Sequence, residues 1–305
     1  MTRTTTLHAT AMPRTAPWLP SHGQASYALG VLLLAYVFSI MDRQILSLLV
    51  GPIQQSLHVN DTWMGLLHGF TFAAFYSLAG LPLARLIDRG NRRTFATIII
   101  GLGCYNAAVY GGGTWVPSYL VREFGWTYAR AGTVMGLIMC VSAPLGVLGA
   151  SWLGEYWRRR GVENGNLRVA IIASIVLPVC ATPLLLAPGA TLALPFLALT
   201  AAFWVCLFGV GPALIVEMSP APMRGQFIAL FTGVLNLLGA GVGPVAIGAI
   251  TDYVLADPAA IGYSILAVTL IACILAAVLL SGARRSFSRT LRQAREWQPA
   301  TTCTR

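Results

Sequence analysis

The sequence predicts an all-α polytopic membrane protein, and three observations carry that prediction. The chain is 56% hydrophobic and only 10% charged over 305 residues, where soluble globular domains carry roughly 25% charge. Several apolar runs reach the roughly 20 residues a helix needs to cross the hydrocarbon core. All twenty basic residues are arginines, set mostly between and beyond those runs, as expected of short cytoplasmic loops. The net charge of +10 is therefore read as topology information and attraction to anionic lipid, not as a nucleic-acid surface.

Residues 1–24 are rich in Thr and Pro and have no apolar core. They are expected to form a disordered cytoplasmic tail, not a signal peptide. The first span is placed at Ala28–Val50, interrupted by Asp42-Arg43-Gln44 and closed by Gly51-Pro52. A connection, Ile53–Asp61, leads to the second span, Trp63–Leu83, and to the basic turn Ala84–Arg93. The third span, Phe95–Leu120, is glycine-rich and carries Asn106 and Pro117.

After the mixed-charge connection Val121–Arg130 come Ala131–Leu153, the basic loop Glu155–Arg168, and Val169–Ala187 and Leu192–Val216 joined at Pro188-Gly189. The turn-rich segment Glu217–Gly225 precedes Gln226–Ile250, and the loop Thr251–Ile261 precedes Gly262–Leu280. Residues 283–305 form a basic tail whose Arg284, Arg285, Arg289, Arg292 and Arg295 suit an amphipathic segment on the membrane surface.

Eight spans put both termini on one side. Seventeen of the twenty arginines then share that side, with Arg122 and Arg130 opposite and Arg43 inside a span. The bias assigns both termini to the cytoplasm. A seven-span frame would strand a basic cluster outside.

Asp42 and Arg43 lie more than halfway along the first span. An ionisable residue at that depth either lines a cavity or finds a partner, or else it snorkels to the outer headgroups. Ile45–Val50 adds nearly two apolar turns beyond the pair, which favours the interior. Asn106, Asn236 and His68 are intramembrane polar residues that either touch a solute or satisfy each other's helices by hydrogen bonds. Gly241, Gly243 and Pro244 suit close helix approach and a softened helix, for packing or for movement.

Trp115, Tyr119, Trp152, Tyr156 and Trp157 lie near span ends and read as interfacial anchors. Cys104, Cys140, Cys180 and Cys206 fall within apolar runs without metal or redox spacing, so they are read as small buried hydrophobes. No metal, no cofactor and no enzyme chemistry is expected, because no phosphate loop, zinc spacing or nucleophile elbow stands in a suitable context.

The turn Ala84-x3-Asp88-Arg89-Gly90-Asn91-Arg92-Arg93 resembles the signature loop between helices two and three of the major facilitator superfamily. Ala84 and Asn91 stand where that loop usually has glycine. Tyr36–Val50 (YVFSIMDRQILSLLV) and Leu78–Arg93 (LAGLPLARLIDRGNRR) resemble its spinster-like branch. Glu217-x5-Met223-Arg224-Gly225-Gln226 is similar to the loop between helices ten and eleven, and Gly239-x-Gly241-x-Gly243-Pro244 to helix eleven. Aligning Asp88 with Glu155 places Arg92 and Arg93 on Arg159 and Arg160, a weak internal repeat of the kind duplicated transporters show.

The resemblance implies a transmembrane solute transporter, proton-coupled, moving a small organic anion or amphipathic solute by alternating access across a bacterial inner membrane. It implies that Asp42 is the proton-carrying candidate, with Arg43 its partner or a substrate contact. Asp88, Arg89, Arg92 and Arg93 are implied to be a conformational latch, with Glu217 and Arg224 in the same gating class.

The family has twelve spans and this chain about eight. The third run resembles the start of helix three joined to the end of helix seven, near Tyr105, which makes 25–120 a partial first half and 121–282 most of a second. Losing helices four to six is expected to open the bundle and expose polar faces. Two rivals follow: an inactive or structural remnant without transport of its own, or a homo-oligomer that replaces the missing helices.

Overall fold

The computed structural model describes residues 22–67, 69, 92–219 and 224–296. The chain divides into two compact units, Met1–Arg43 and Gln44–Arg305. The tail 1–21, His68, most of the expected second span and the basic turn with Asp88 and Arg89 lie outside the described residues, as do 220–223 and 297–305.

The described chain is helical throughout its ordered elements, with no strand among the described residues. Helix α1 is His22–Leu48 and α2 is Val50–Leu57. Residues 61–67 form α3, and Gly69 is helical too. Then come α4 (Arg92–Phe124), α5 (Tyr128–Arg159), α6 (Gly165–Leu185) and α7 (Ala190–Met218). One long rod follows: α8 (Arg224–Asn236), a π-helical stretch Leu237–Val242, α9 (Gly243–Ala249) and a second π-helical stretch Ile250–Leu255. A short 3₁₀ turn, Pro258–Ala260, leads into α10 (Ile261–Glu296).

Six of these helical stretches, from Arg93–Phe124 to Pro258–Arg289, are long and apolar enough to cross a membrane. Five of the six expected spans from Phe95–Leu120 to Gly262–Leu280 fall within them, and Val169–Ala187 overruns its helix, which ends at Leu185. This is a multi-pass membrane protein.

Short connections make successive helices antiparallel. Gly125, at φ 64°, ends α4 in the left-handed region that glycine enters without a Cβ penalty. Two residues later Thr127 caps α5, its hydroxyl accepting the Arg130 N–H at 3.3 Å. The result is a bundle with two distinct ends. One gathers Arg93, the loop after Arg159 and the start of α8, and it is arginine-rich. The opposite end gathers residues 58–62, 122–128 and 252–261.

Helix α4 is the central element, packing against α10, α9 and the first π-helical stretch. Its aromatic residues correct one expectation. Trp115 and Tyr119 are 0% and 2% exposed, so they are interior residues, not interfacial anchors. The cause is polar: the Trp115 indole N–H donates to the Pro244 carbonyl at 3.0 Å, and the Tyr119 hydroxyl to the Leu184 carbonyl at 3.2 Å. Buried aromatics with an N–H or O–H seek such partners. Trp152, by contrast, is exposed and stacks on Tyr156 near the arginine-rich end.

Other boundaries move as well. Gly51-Pro52 does not close a span but opens α2, since proline is tolerated in a helix's first turn, where its missing N–H has no intrahelical partner. The last helix passes Leu280 without a break and continues to Glu296. Ala283, Phe287 and Leu291, spaced by four, are buried while Arg284, Arg285 and Arg289 are exposed. That stripe extends the core beyond the apolar run and leaves arginine outside. Cys140 is exposed and Cys104 half-buried, in contrast to buried Cys180, Cys206 and Cys273.

Helix α5 packs on α7 along one face and leaves Leu137, Val141, Leu145 and Leu148 exposed on the other. The exposed residues of that face are apolar.

Candidate functional site

The candidate site is built on the rod from Arg224 to Leu255, which runs between α3 and α4. On its α4 face, a Cβ at Gly243 would collide with the Ala107 carbonyl, and one at Gly239 with the Asn106 side chain. On its α3 face, the space a Cβ would fill at Gly69 is taken by the Ala240 carbonyl, next to Gly241. A Cβ at Gly65 would lie 2.8 Å from the Pro244 carbonyl, and one at Gly248 2.5 Å from the Asp61 carbonyl. Both faces therefore meet their neighbours backbone to backbone, the geometry small residues permit between membrane helices.

The rod is also irregular. Two π-helical stretches flank α9, and such widened turns are frequent at functional positions in helices. Asn106 addresses the first of them: its side-chain amide donates to the Leu235 carbonyl at 2.9 Å, just before the widened turn. Asn236 lies one residue on but donates within its own rod, to Thr232 at 2.9 Å. Both are 8% exposed. Asn106, Gly241, Gly243 and Pro244 thus share one seam, with Asn236 at its edge.

The remaining sequence candidates are dispersed. Asp42 and Arg43 lie on α1, in the part belonging to the first unit, and their side chains are outside the described residues. Arg92 opens α4 with its side chain likewise outside, and Arg93 is exposed. Glu217 accepts the Asn166 side-chain amide at 2.7 Å, tying the end of α7 to the start of α6. Arg224 begins α8 half-buried, and its Nε finds no hydrogen bond among the described residues.

A second constellation escaped the sequence reading. At the end opposite the arginines, Arg122 binds Asp61 through both nitrogens of its fork, Nη1 to Oδ2 at 2.7 Å and Nη2 to Oδ1 at 2.8 Å. Gln54 donates to Asp61 at 2.6 Å and accepts from Arg122 at 3.3 Å. Arg122 also reaches the Pro258 carbonyl at 3.2 Å and lies over the Trp115 ring. Beside it, Asp252 accepts both the N–H and the hydroxyl of Thr62, at 2.6 and 2.5 Å. A carboxylate at those first amides of α3 is stabilised by the helix dipole.

Among the described residues no group of three or more His, Cys, Asp or Glu is arranged to hold a metal ion.

No family model matches the chain. A stretch of 170 residues is 27% identical to an MFS-type efflux pump of Mycolicibacterium smegmatis, covering 55% of this chain and 36% of that protein. A stretch of 156 residues is 29% identical to a probable galactarate/D-glucarate transporter, GudP, of Pseudomonas putida, covering 51% of this chain and 34% of that one. The chain is related to major facilitator transporters.

Each match spans about a third of the relative's own length. Among solved structures, a bacterial homologue of the human lysosomal transporter Spinster, inward-facing and occupied, superposes with a TM-score of 0.49 at 15% identity, covering 69% of this chain and 51% of that one. Its unoccupied form gives 0.46 at 14% identity, covering 68% and 50%.

Proposed function

We propose that this chain is a proton-coupled carrier of small organic anions or amphipathic solutes, working by alternating access. The observation that carries the reading is the seam around Gly243. A rod with two widened turns meets α3 and α4 backbone to backbone at Gly65, Gly69, Gly243 and Gly248, while its Leu238 and Ile247 side chains rest on Gly103 and Gly111 of α4. Such contact holds helices together yet lets one roll against another, which is what a moving carrier element needs. Relatedness to a named efflux pump and a named sugar-acid transporter supports the solute-carrier class.

In this reading Asp42 carries the proton, Arg43 is its electrostatic partner or meets the substrate anion, and Asn106 and Asn236 border the path. Asp88, Arg89, Arg92 and Arg93, with Glu217 and Arg224, act at the cytoplasmic gate. The eight-span arrangement, an inner-membrane location with both termini cytoplasmic, and anionic lipid at the arginine-rich end belong to the same proposal. Placement in the spinster-like branch rests on the Tyr36–Val50 and Leu78–Arg93 motifs.

The second reading is a remnant without transport of its own. The observation it draws on is the exposed face of α5, which carries Leu137, Val141, Leu145 and Leu148.

Purified protein in liposomes loaded with a pH-sensitive dye separates the two. D-glucarate, aliphatic and aromatic carboxylates and lysophospholipids would be added in turn under a proton gradient. A carrier gives proton flux that depends on one of these solutes and is abolished in Asp42→Asn. Absence of solute-dependent flux in folded, reconstituted protein supports the remnant.

A further inference from the structure

The polar constellation at the end opposite the arginines lies beyond Asn106, Gly241, Gly243 and Pro244, and it joins α2, α3, α4 and the end of the rod. We propose that Gln54, Asp61, Arg122 and Asp252 form an external latch, which holds the outer ends of α2, α3, α4 and the rod closed and must release for that end to open.

Four features make it a latch and not merely a brace. Its members come from separate elements: Gln54 from α2, Asp61 from the start of α3, Arg122 from the end of α4, and Asp252 and Pro258 from the turns beyond α9. Arg122 is thus shared among three neighbours, so withdrawing one side chain frees three contacts at once. The arginine side is partly open to water, 19% exposed against 4% for Asp61, so a separated Arg122 can be hydrated. A fully buried pair would have no such second state.

The rod's contribution is mechanically soft. Asp252 sits in the π-helical stretch Ile250–Leu255, and Ala256, at φ 50°, and the 3₁₀ turn follow directly. These segments rearrange more readily than a regular helix. Beneath them the contact is backbone to backbone, since Gly248 lies on the Asp61 carbonyl and the Thr62 nitrogen.

The side is assigned by charge. Arg122 and Arg130 are the arginines of this end among the described residues, whereas Arg158, Arg159, Arg160 and Arg168 mark the other. The positive-inside bias makes the latched end external. What the latch gates rests on the carrier reading; its existence does not.

Hydrogen–deuterium exchange by mass spectrometry on protein in lipid nanodiscs tests it without any solute, so a failed transport assay and a failed latch are separate results. Arg122→Ala should raise exchange on the order of tenfold in residues 50–62 and 250–262 and leave 155–170 unchanged. Arg122→Lys, which keeps charge but loses the fork, should fall between. Asp61→Asn added to Arg122→Ala should give little further change, because both remove one interaction. Unchanged exchange, an equal rise at both ends, or additive effects of the two substitutions would overturn the proposal. Should Arg122→Ala not fold, Asp252→Asn carries the test, with a rise confined to 58–66 and 250–258 expected and any uniform rise contrary.

Discussion

The two ends of the bundle hold their charged groups in different ways. At the end opposite the arginine-rich one, Arg122 and Asp61 are 61 residues apart in sequence and belong to different helices. At the arginine-rich end, Glu155 spends both carboxylate oxygens on Arg158 and Arg159 of its own helix, at 2.8 and 3.0 Å. The first arrangement couples elements; the second decorates one, and polar coupling at that end falls to Asn166 and Glu217, which tie α6 to α7. What stiffens the arginine-rich end is apolar: the buried stripe Ala283, Phe287 and Leu291 carries α10 past the bilayer run. The difference teaches that contacts made through a shared polar fork can be released at modest cost, while contacts made by packed side chains resist release.

That contrast can be broken most severely at Gly248. A side chain there meets the Asp61 carbonyl and carbon and the Thr62 nitrogen, all backbone atoms that cannot swing aside. Gly248→Leu should destabilise the protein by ~3 kcal/mol or more, seen as a large drop in melting temperature in mild detergent. An unchanged melting temperature would mean α3 and the rod are not in contact.

Phe287→Ala follows, at about 3 to 5 kcal/mol for a truncated buried aromatic. Its loosening in hydrogen exchange should be confined to the arginine-rich end. A matching rise in 250–262 would show the two ends to be one rigid body. The smallest effect is expected of Glu155→Gln, a half-buried residue paired within its own helix to exposed arginines. No change in melting should be measurable, and a clear change would mean that this end too relies on its ion pairs.

Much of the fold was legible in the sequence because membrane spans are written in composition and length. Phe95–Leu120 and four of the five later spans lie within the observed helices for that reason, and Val169–Ala187 overruns its helix by two residues. The boundaries that moved depended on finer signals. The spacing of Ala283, Phe287 and Leu291 was visible, but arginines between them drew the eye to solvent. Pro52 reads as a breaker unless the helix is known to start beside it. Trp115 and Tyr119 sit where interfacial residues sit, and only the neighbouring carbonyls of Pro244 and Leu184 show them to be interior.

The seam was half legible. Gly241, Gly243 and Pro244 announced close packing, whereas their partners Gly65, Gly69 and Ala107 appear only once the helices are placed. The π-helical stretches carry no local signature and depend on contacts such as that from Asn106 to Leu235. The latch was not legible at all. Asp61 and Arg122 each read as a charge in a connection, and no spacing rule joins residues from different hairpins. One hint existed: Arg122 is one of just two arginines that the eight-span reading assigns to the outer side, which asks for a local reason.

The central claim is that the external end opens against a soft polar closure. The direct test is a distance distribution between spin labels at Leu57→Cys and Val254→Cys, both exposed at that end, with the native cysteines replaced and the protein in nanodiscs. Two populations are predicted, the longer one growing when Arg122→Ala is added. A single narrow distance that Arg122→Ala leaves unmoved would contradict the account.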